Sequence, residues 1–206
     1  MRSPTVFLAT LATLASLVLT TGAHAAGTAP PPRMPPPTQA MPDTDTPSKD
    51  STAAPGRAEA ERVYAKGWDL AQEAKQELAT GKSDSAKKRF GKALKKFKEA
   101  TEIDPTYYQA WNMVGYCSRK SGDLKRAFEA YAKCIEIEPE YAPAHEYLGE
   151  AYLMSGDVAK AKAQLLWLVA RKAADEVATL TQSIEAYEKS KGAGSAADST
   201  AKGGGW

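Results

Sequence analysis

Few side chains in this sequence are placed to do covalent or metal chemistry. There are two histidines, His24 and His145, and two cysteines, Cys117 and Cys134. No Cys/His spacing suits a zinc site. A catalytic or metal-binding reading of His145 would need several convergent polar groups, which a lone histidine does not supply. Gly81-Lys82-Ser83 has the look of the end of a phosphate-binding loop. The earlier glycine of that motif would fall at residue 76, which is Gln, and no strand precedes it. The sequence therefore predicts no catalytic residue, no metal site and no cofactor, and it reads as a non-enzyme.

What remains is the chemistry of recognition. Lys87, Lys88, Arg89, Lys92, Lys95, Lys96 and Lys98 make a dense basic face within one stretch. It is either a solvated helix face or a contact for an anionic surface such as lipid headgroups, an acidic partner or a cell-wall polymer. The formal net charge of the chain is only +2, which gives no electrostatic footprint for nucleic acid.

The elements that would position such groups are helices. Ala86, Phe90, Ala93, Leu94, Phe97 and Ala100 recur at the spacing of one buried stripe, predicting a helix over 85–102 with Ser85 as N-cap and Pro105 at the start of the next helix. Beyond it a pattern returns after 34 residues. Trp111, Val114, Gly115, Gly122, Ala127, Tyr131 and Pro139 form one copy; His145, Leu148, Gly149, Gly156, Ala161 and Leu165 hold matching places in the next. The copies predict helices over about 107–120, 124–137, 142–154 and 158–171. Asp123 is placed to cap the second of these. Gly115 and Gly149, opposite Ala127 and Ala161, would let partner helices approach closely.

The period and the residue types together resemble the tetratricopeptide repeat. The match is close over 108–141, good over 142–175 (where Ala173 replaces the closing proline), and limited to the second half of the first copy. The resemblance implies an all-α fold, a short right-handed superhelix of about three helical hairpins, with a C-terminal capping helix. It also implies a concave groove lined by the first helices and suited to a peptide segment of a partner protein. Carried over position by position, the groove residues are Gln109, Asn112, Tyr116, Arg119 and Lys120, then Glu146, Glu150, Leu153 and Met154, with Tyr64 and Trp68 joining from the first hairpin. Glu146 and Glu150 could equally form ion pairs with Arg119 and Lys120. Asn112 and Tyr116 stand where the carboxylate-clamp subgroup has Lys and Asn, so a C-terminal carboxylate ligand is not implied.

The first hairpin departs from the repeat. If Gly67 is its contact glycine, the gap to Ala93 is 26, whereas Gly115 to Ala127 is 12. The excess of 14 is about two extra turns on each helix, which would project beyond the stack around Ala79–Ser85. The hairpin geometry also bears on the cysteines. Two cysteines in an exported chain suggest a disulfide, but in the central hairpin Cys134 would face Tyr108–Trp111. Cys117 lies six or more residues further along, ~9 Å at the helical rise, and a disulfide needs Cα atoms within about 7 Å. Two separate, mostly buried thiols are expected. His145 takes the place of Trp111 and is expected to pack at a helix start.

The ends of the chain read differently. Residues 1–25 resemble a secretory signal: Arg2, then apolar Val6 to Leu19, then the small-x-small site Ala23-His24-Ala25. The apolar run is shorter than the ~20 residues of a spanning helix and is diluted by Thr and Ser, so cleavage near Ala25 is expected rather than a retained anchor. Arg2 is the only charge removed, leaving +2 − 1 = +1. The expected location is periplasmic or secreted, with a partner protein in the cell envelope and no transmembrane segment in the mature chain. Residues 26–56 form a Pro-rich linker without aromatics, and 192–206 a Gly-rich, disordered tail ending in Trp206. The domain is 57–191, divided as 57–106 (an extended hairpin), 107–141, 142–174, and a capping helix over 175–191. An envelope tether that uses the basic helix on anionic lipid or cell wall is the second functional reading.

Overall fold

The computed structural model describes residues 56–201. The expected signal segment, the Pro-rich linker and Trp206 lie outside the described residues. Seven helices follow in order: α1 (Arg57–Ala79), α2 (Ser83–Ile103), α3 (Tyr108–Lys120), α4 (Leu124–Ile137), α5 (Ala142–Ser155), α6 (Val158–Ala170) and α7 (Ala174–Ala201). Among the described residues there is no strand. Helices pair in sequence as α1/α2, α3/α4 and α5/α6; α2 stacks on α3, α4 on α5, and α7 covers both α5 and α6. This is the all-helical hairpin stack expected of a repeat solenoid.

The two regular hairpins repeat in atomic detail. Gly122 (φ 88°) and Gly156 (φ 86°) turn the chain in the left-handed region, which glycine enters without a Cβ penalty. The next residue caps: Asp123 accepts from the Arg126 backbone N–H at 3.1 Å, and Asp157 from Lys160 N–H at 3.0 Å. At the other end, Trp111 Nε1 donates to the Pro105 carbonyl (2.9 Å). One period on, His145 Nε2 lies 3.0 Å from the Pro139 carbonyl, to which only a donor can bond. His145 Nδ1 pairs with the Gln164 carboxamide at 2.8 Å, and the ring stacks on Trp167 at a centroid distance of 3.4 Å. His145 is thus a packing residue at a helix start. Pro105 itself sits in the turn before α3 rather than within its first turn.

The first hairpin uses the same crossing. A Cβ on Gly67 would meet Phe97 Cε1 at 2.9 Å, and one on Gly115 would meet Tyr131 Cδ1 at 2.6 Å; Phe97 and Tyr131 are 34 apart. Gly67 lies 14 residues before the turn glycine Gly81, and Gly115 lies 7 before Gly122; Gly81 lies 16 before Phe97, and Gly122 lies 9 before Tyr131. Each helix therefore gains seven residues, two turns. Ser85 does not cap: α2 begins at Ser83 after Lys82, which makes no side-chain cap. The turn uses Gly81, and Lys82 stands where the other hairpins carry aspartate.

Two further differences concern the core and the end. Tyr64, expected at the groove, is buried and packs on Phe97 (5.1 Å) and Tyr107 (5.2 Å). Trp68 is half-buried beside it. Cys117 and Cys134 are free and buried. Burial pushes both thiols up, that of Cys134 to about 12, so neither presents a thiolate at neutral pH. The backbone of α7 runs on through residue 201, ten residues past the expected end at 191. Ala193, Ala196, Ala197 and Ala201 favour helix there.

Candidate functional site

The inner side of the stack is built by α3 and α5, which also touch each other directly. All of α3 from Asn112 to Arg119 is buried. This revises the expected groove. Tyr116 is 1% exposed and sits between Phe90 of the lengthened α2 (5.8 Å) and Tyr147 of α5 (5.4 Å). Asn112, Glu146 and Glu150 are also buried. The position-by-position carry-over takes these residues as a groove lining. It does not register that Phe90 of α2 closes over Tyr116 from one side while Tyr147 of α5 closes from the other.

The charges meet in this layer. Arg119, 4% exposed, forms an ion pair with Glu150 and lies over the rings of Tyr116 (5.6 Å) and Tyr147 (5.8 Å). Of the internal ion pairs weighed as the alternative, the one between Arg119 and Glu150 is present. Lys120 is half-buried with its ammonium 5.7 Å from the Tyr116 ring centroid. Burial and then the neighbouring Arg119 lower it to about 8. Burial, followed by Glu150 one turn on, pushes Glu146 up to about 9, so it is protonated at neutral pH. Gln109 Oε1, both carboxamide atoms of Asn112 and Glu146 Oε1 are buried without a hydrogen-bond partner among the described residues. Such groups are uncommon in folded interiors.

Access to this layer is through a cleft of ≈ 320 Å³ between α5 and α7. Arg119 and Glu150 line it, with Leu153 and Met154 on one side and Ser183, Ala186 and Tyr187 on the other. Met154 is 53% exposed. Ser183 Oγ donates to Glu150 Oε1 at 3.3 Å. The structure thus brings together Arg119, Glu150, Leu153 and Met154, and leaves Gln109, Asn112, Tyr116, Lys120 and Glu146 off the cleft lining. The sequence reads Val177, Leu180, Ile184 and Tyr187 as the apolar stripe of the capping helix, but not as a wall of a cleft. The wall's signal is the stripe Leu180–Ile184–Tyr187: Leu180 fits against Gly149, where a Cβ would meet Leu180 Cδ2 at 2.6 Å. Once Leu180 is docked, helical spacing carries Ser183 and Tyr187 to the edge of α5.

The basic face of α2 divides into two sets. Arg89 is tied to Glu73 and Glu77 of α1, and Lys96 to Glu99 (2.6 Å). Lys87, Lys88, Lys92, Lys95 and Lys98 are exposed and enter no ion pair among the described residues.

Two family models match the chain, both described as tetratricopeptide repeat, one over residues 72–142 and the other over 118–184. Together they reach from 72 to 184, more than half of the 206 residues. No curated protein matches. Among solved structures, the type III secretion translocator chaperone SycD of Yersinia enterocolitica (alternative dimer) is similar at 17% identity and a TM-score of 0.49, over 65% of this chain and 95% of that one.

Proposed function

From the premise that this chain belongs to the tetratricopeptide repeat family, a protein-interaction scaffold, we propose that it is an exported adaptor and that the cleft between α5 and α7 receives a peptide segment of an envelope protein. One observation carries the reading. The cleft sets an apolar wall of Leu153, Met154, Ala186 and Tyr187 around the buried guanidinium of Arg119. An apolar lining with few, fixed polar groups is the usual make-up of a recognition site. The role is binding rather than catalysis. The export part of the proposal rests on Arg2, Val6–Leu19 and Ala23-His24-Ala25.

The test uses rim residues, because Tyr116→Ala or Arg119→Ala would cut into the core. Tagged chain is expressed in a producing cell, and partners are recovered from the envelope fraction and identified. Met154→Glu with Tyr187→Ala should abolish recovery of a specific partner while helicity is kept. Unchanged recovery would remove the cleft from the site. N-terminal sequencing of the chain from the periplasm or medium should begin at Ala26; a chain that starts at Met1 in the cytosol would remove export.

A further inference from the structure

The outer face of α2 concentrates exposed lysines. At 100° per residue, Lys87, Lys98, Lys95, Lys88 and Lys92 fall within one arc of about 140°, along about 16 Å of helix. All five are exposed. Lys88/Lys92, Lys92/Lys95 and Lys95/Lys98 are like-charge neighbours at i,i+4 or i,i+3, which destabilises a helix. Three lysines elsewhere have a carboxylate partner: Lys133 with Glu136 (3.0 Å), Lys160 with Asp157 (2.8 Å) and Lys162 with Glu188 (2.8 Å). Between the lysines sits Gly91, where a Cβ would meet nothing within 4 Å. Asp84, Glu99 and Glu102 fall within the same arc, so lysines outnumber carboxylates there by five to three.

The two extra turns carry Lys87 and Lys88 outward toward the hairpin tip. There Lys82 is exposed, and Leu78 is one of four exposed large hydrophobic residues, at 40%. An apolar residue at the end of an unpaired lysine row matches the boundary between headgroups and acyl chains, where basic side chains meet phosphate and an apolar one dips beneath. A soluble acidic polymer would use the lysines but have no use for Leu78.

We propose that the outer face of α2, with the Leu78 tip, docks this domain on a bilayer bearing anionic headgroups. The face belongs to α2 and the cleft to α3, α5 and α7, so the domain can hold a partner while it lies on a membrane. The inference stands independently of the cleft reading.

The purified full chain is sedimented with vesicles of equal parts phosphatidylglycerol and phosphatidylcholine, and with phosphatidylcholine alone. The second arm accounts for binding by the apolar run near the N-terminus. The expected result is binding to the anionic vesicles that weakens steeply with salt. It should fall at least about tenfold in Lys87→Gln/Lys88→Gln/Lys92→Gln/Lys95→Gln and roughly threefold in Leu78→Ser. The same number of changes at Lys125, Lys133, Lys160 and Lys162 should leave it intact. Equal binding to both vesicle types, or equal loss in the two lysine sets, would overturn the proposal. So would competition by soluble polyglutamate at matched charge combined with no effect of Leu78→Ser, which would assign the face to an acidic protein.

Discussion

The first and central hairpins share one helix crossing and spend it differently. In both, a glycine of the first helix takes an aromatic ring of the second: Gly67 with Phe97, Gly115 with Tyr131. In the central hairpin the helices end soon after, and an aspartate caps the turn. In the first they run two turns further and the turn has no side-chain cap, while Phe90, the counterpart of Leu124, packs on Tyr116. A repeat module can therefore be stretched symmetrically about its crossing without disturbing the contact that defines it.

The crossings also differ in tightness. Tyr131 is fully buried, and an added Cβ at 115 would approach several of its ring atoms, whereas at 67 it meets the Phe97 edge and the Lys96 stem at 2.9–3.1 Å. Gly115→Ala should cost about 3 kcal/mol by overpacking. Gly67→Ala should cost about 1 kcal/mol or less, since the helix propensity of alanine offsets part of the crowding. Urea unfolding followed by far-UV circular dichroism measures both. Equal losses would mean that the two crossings are not the same contact at different clearances.

Buried carboxyls separate the hairpins next. Asp104 closes the first one. Burial alone would raise its pKa, but hydrogen bonds from Thr106 and the Arg57 guanidinium outweigh this and hold it below the usual range. Its folded-state pKa is depressed, so its contribution is present above about pH 4 and is lost as pH falls through the folded value. Asp104→Ala should destabilise by about 2–3 kcal/mol at pH 7, and by less as the pH approaches 3. Glu146, between α3 and α5, behaves in the opposite sense. Its folded pKa of about 9 exceeds the unfolded value of 4.5, so its contribution is full below 4.5 and is lost as pH rises toward 9. Glu146→Gln should be near neutral at pH 4.5 and more stable than the parent at pH 8, by at least about 1 kcal/mol. A pH-independent difference would remove the buried, protonated carboxyl from the account.

The smallest effect concerns the turn. Lys82→Asp gives the first hairpin the cap the others have, and should raise stability by about 0.5–1 kcal/mol. A loss would show that the Gly81 turn is not equivalent to Gly122 and Gly156.

Much of this was legible in the residues. The 34-residue spacing placed α3 through α6 to within a residue or two, and the Gly67–Ala93 gap gave the two extra turns. Asp123 was recognisable as a cap because its neighbours in sequence are its partners. What escaped was non-local. The Arg57–Asp104 pair joins residues 47 apart. The burial of Asn112, Tyr116 and Glu146 depends on how α2 and α5 close over α3. The α7 wall of the cleft follows from Leu180 seating on Gly149, a contact no spacing announces.

The central claim is that partners are held in the cleft between α5 and α7. A photo-crosslinking residue in place of Met154, compared with one in place of Leu166, an exposed apolar position of α6 (70%) that does not line the cleft, tests it in the producing cell. The account predicts a defined crosslinked protein from position 154 and none from 166. Crosslinks from 166 with none from 154 would contradict it.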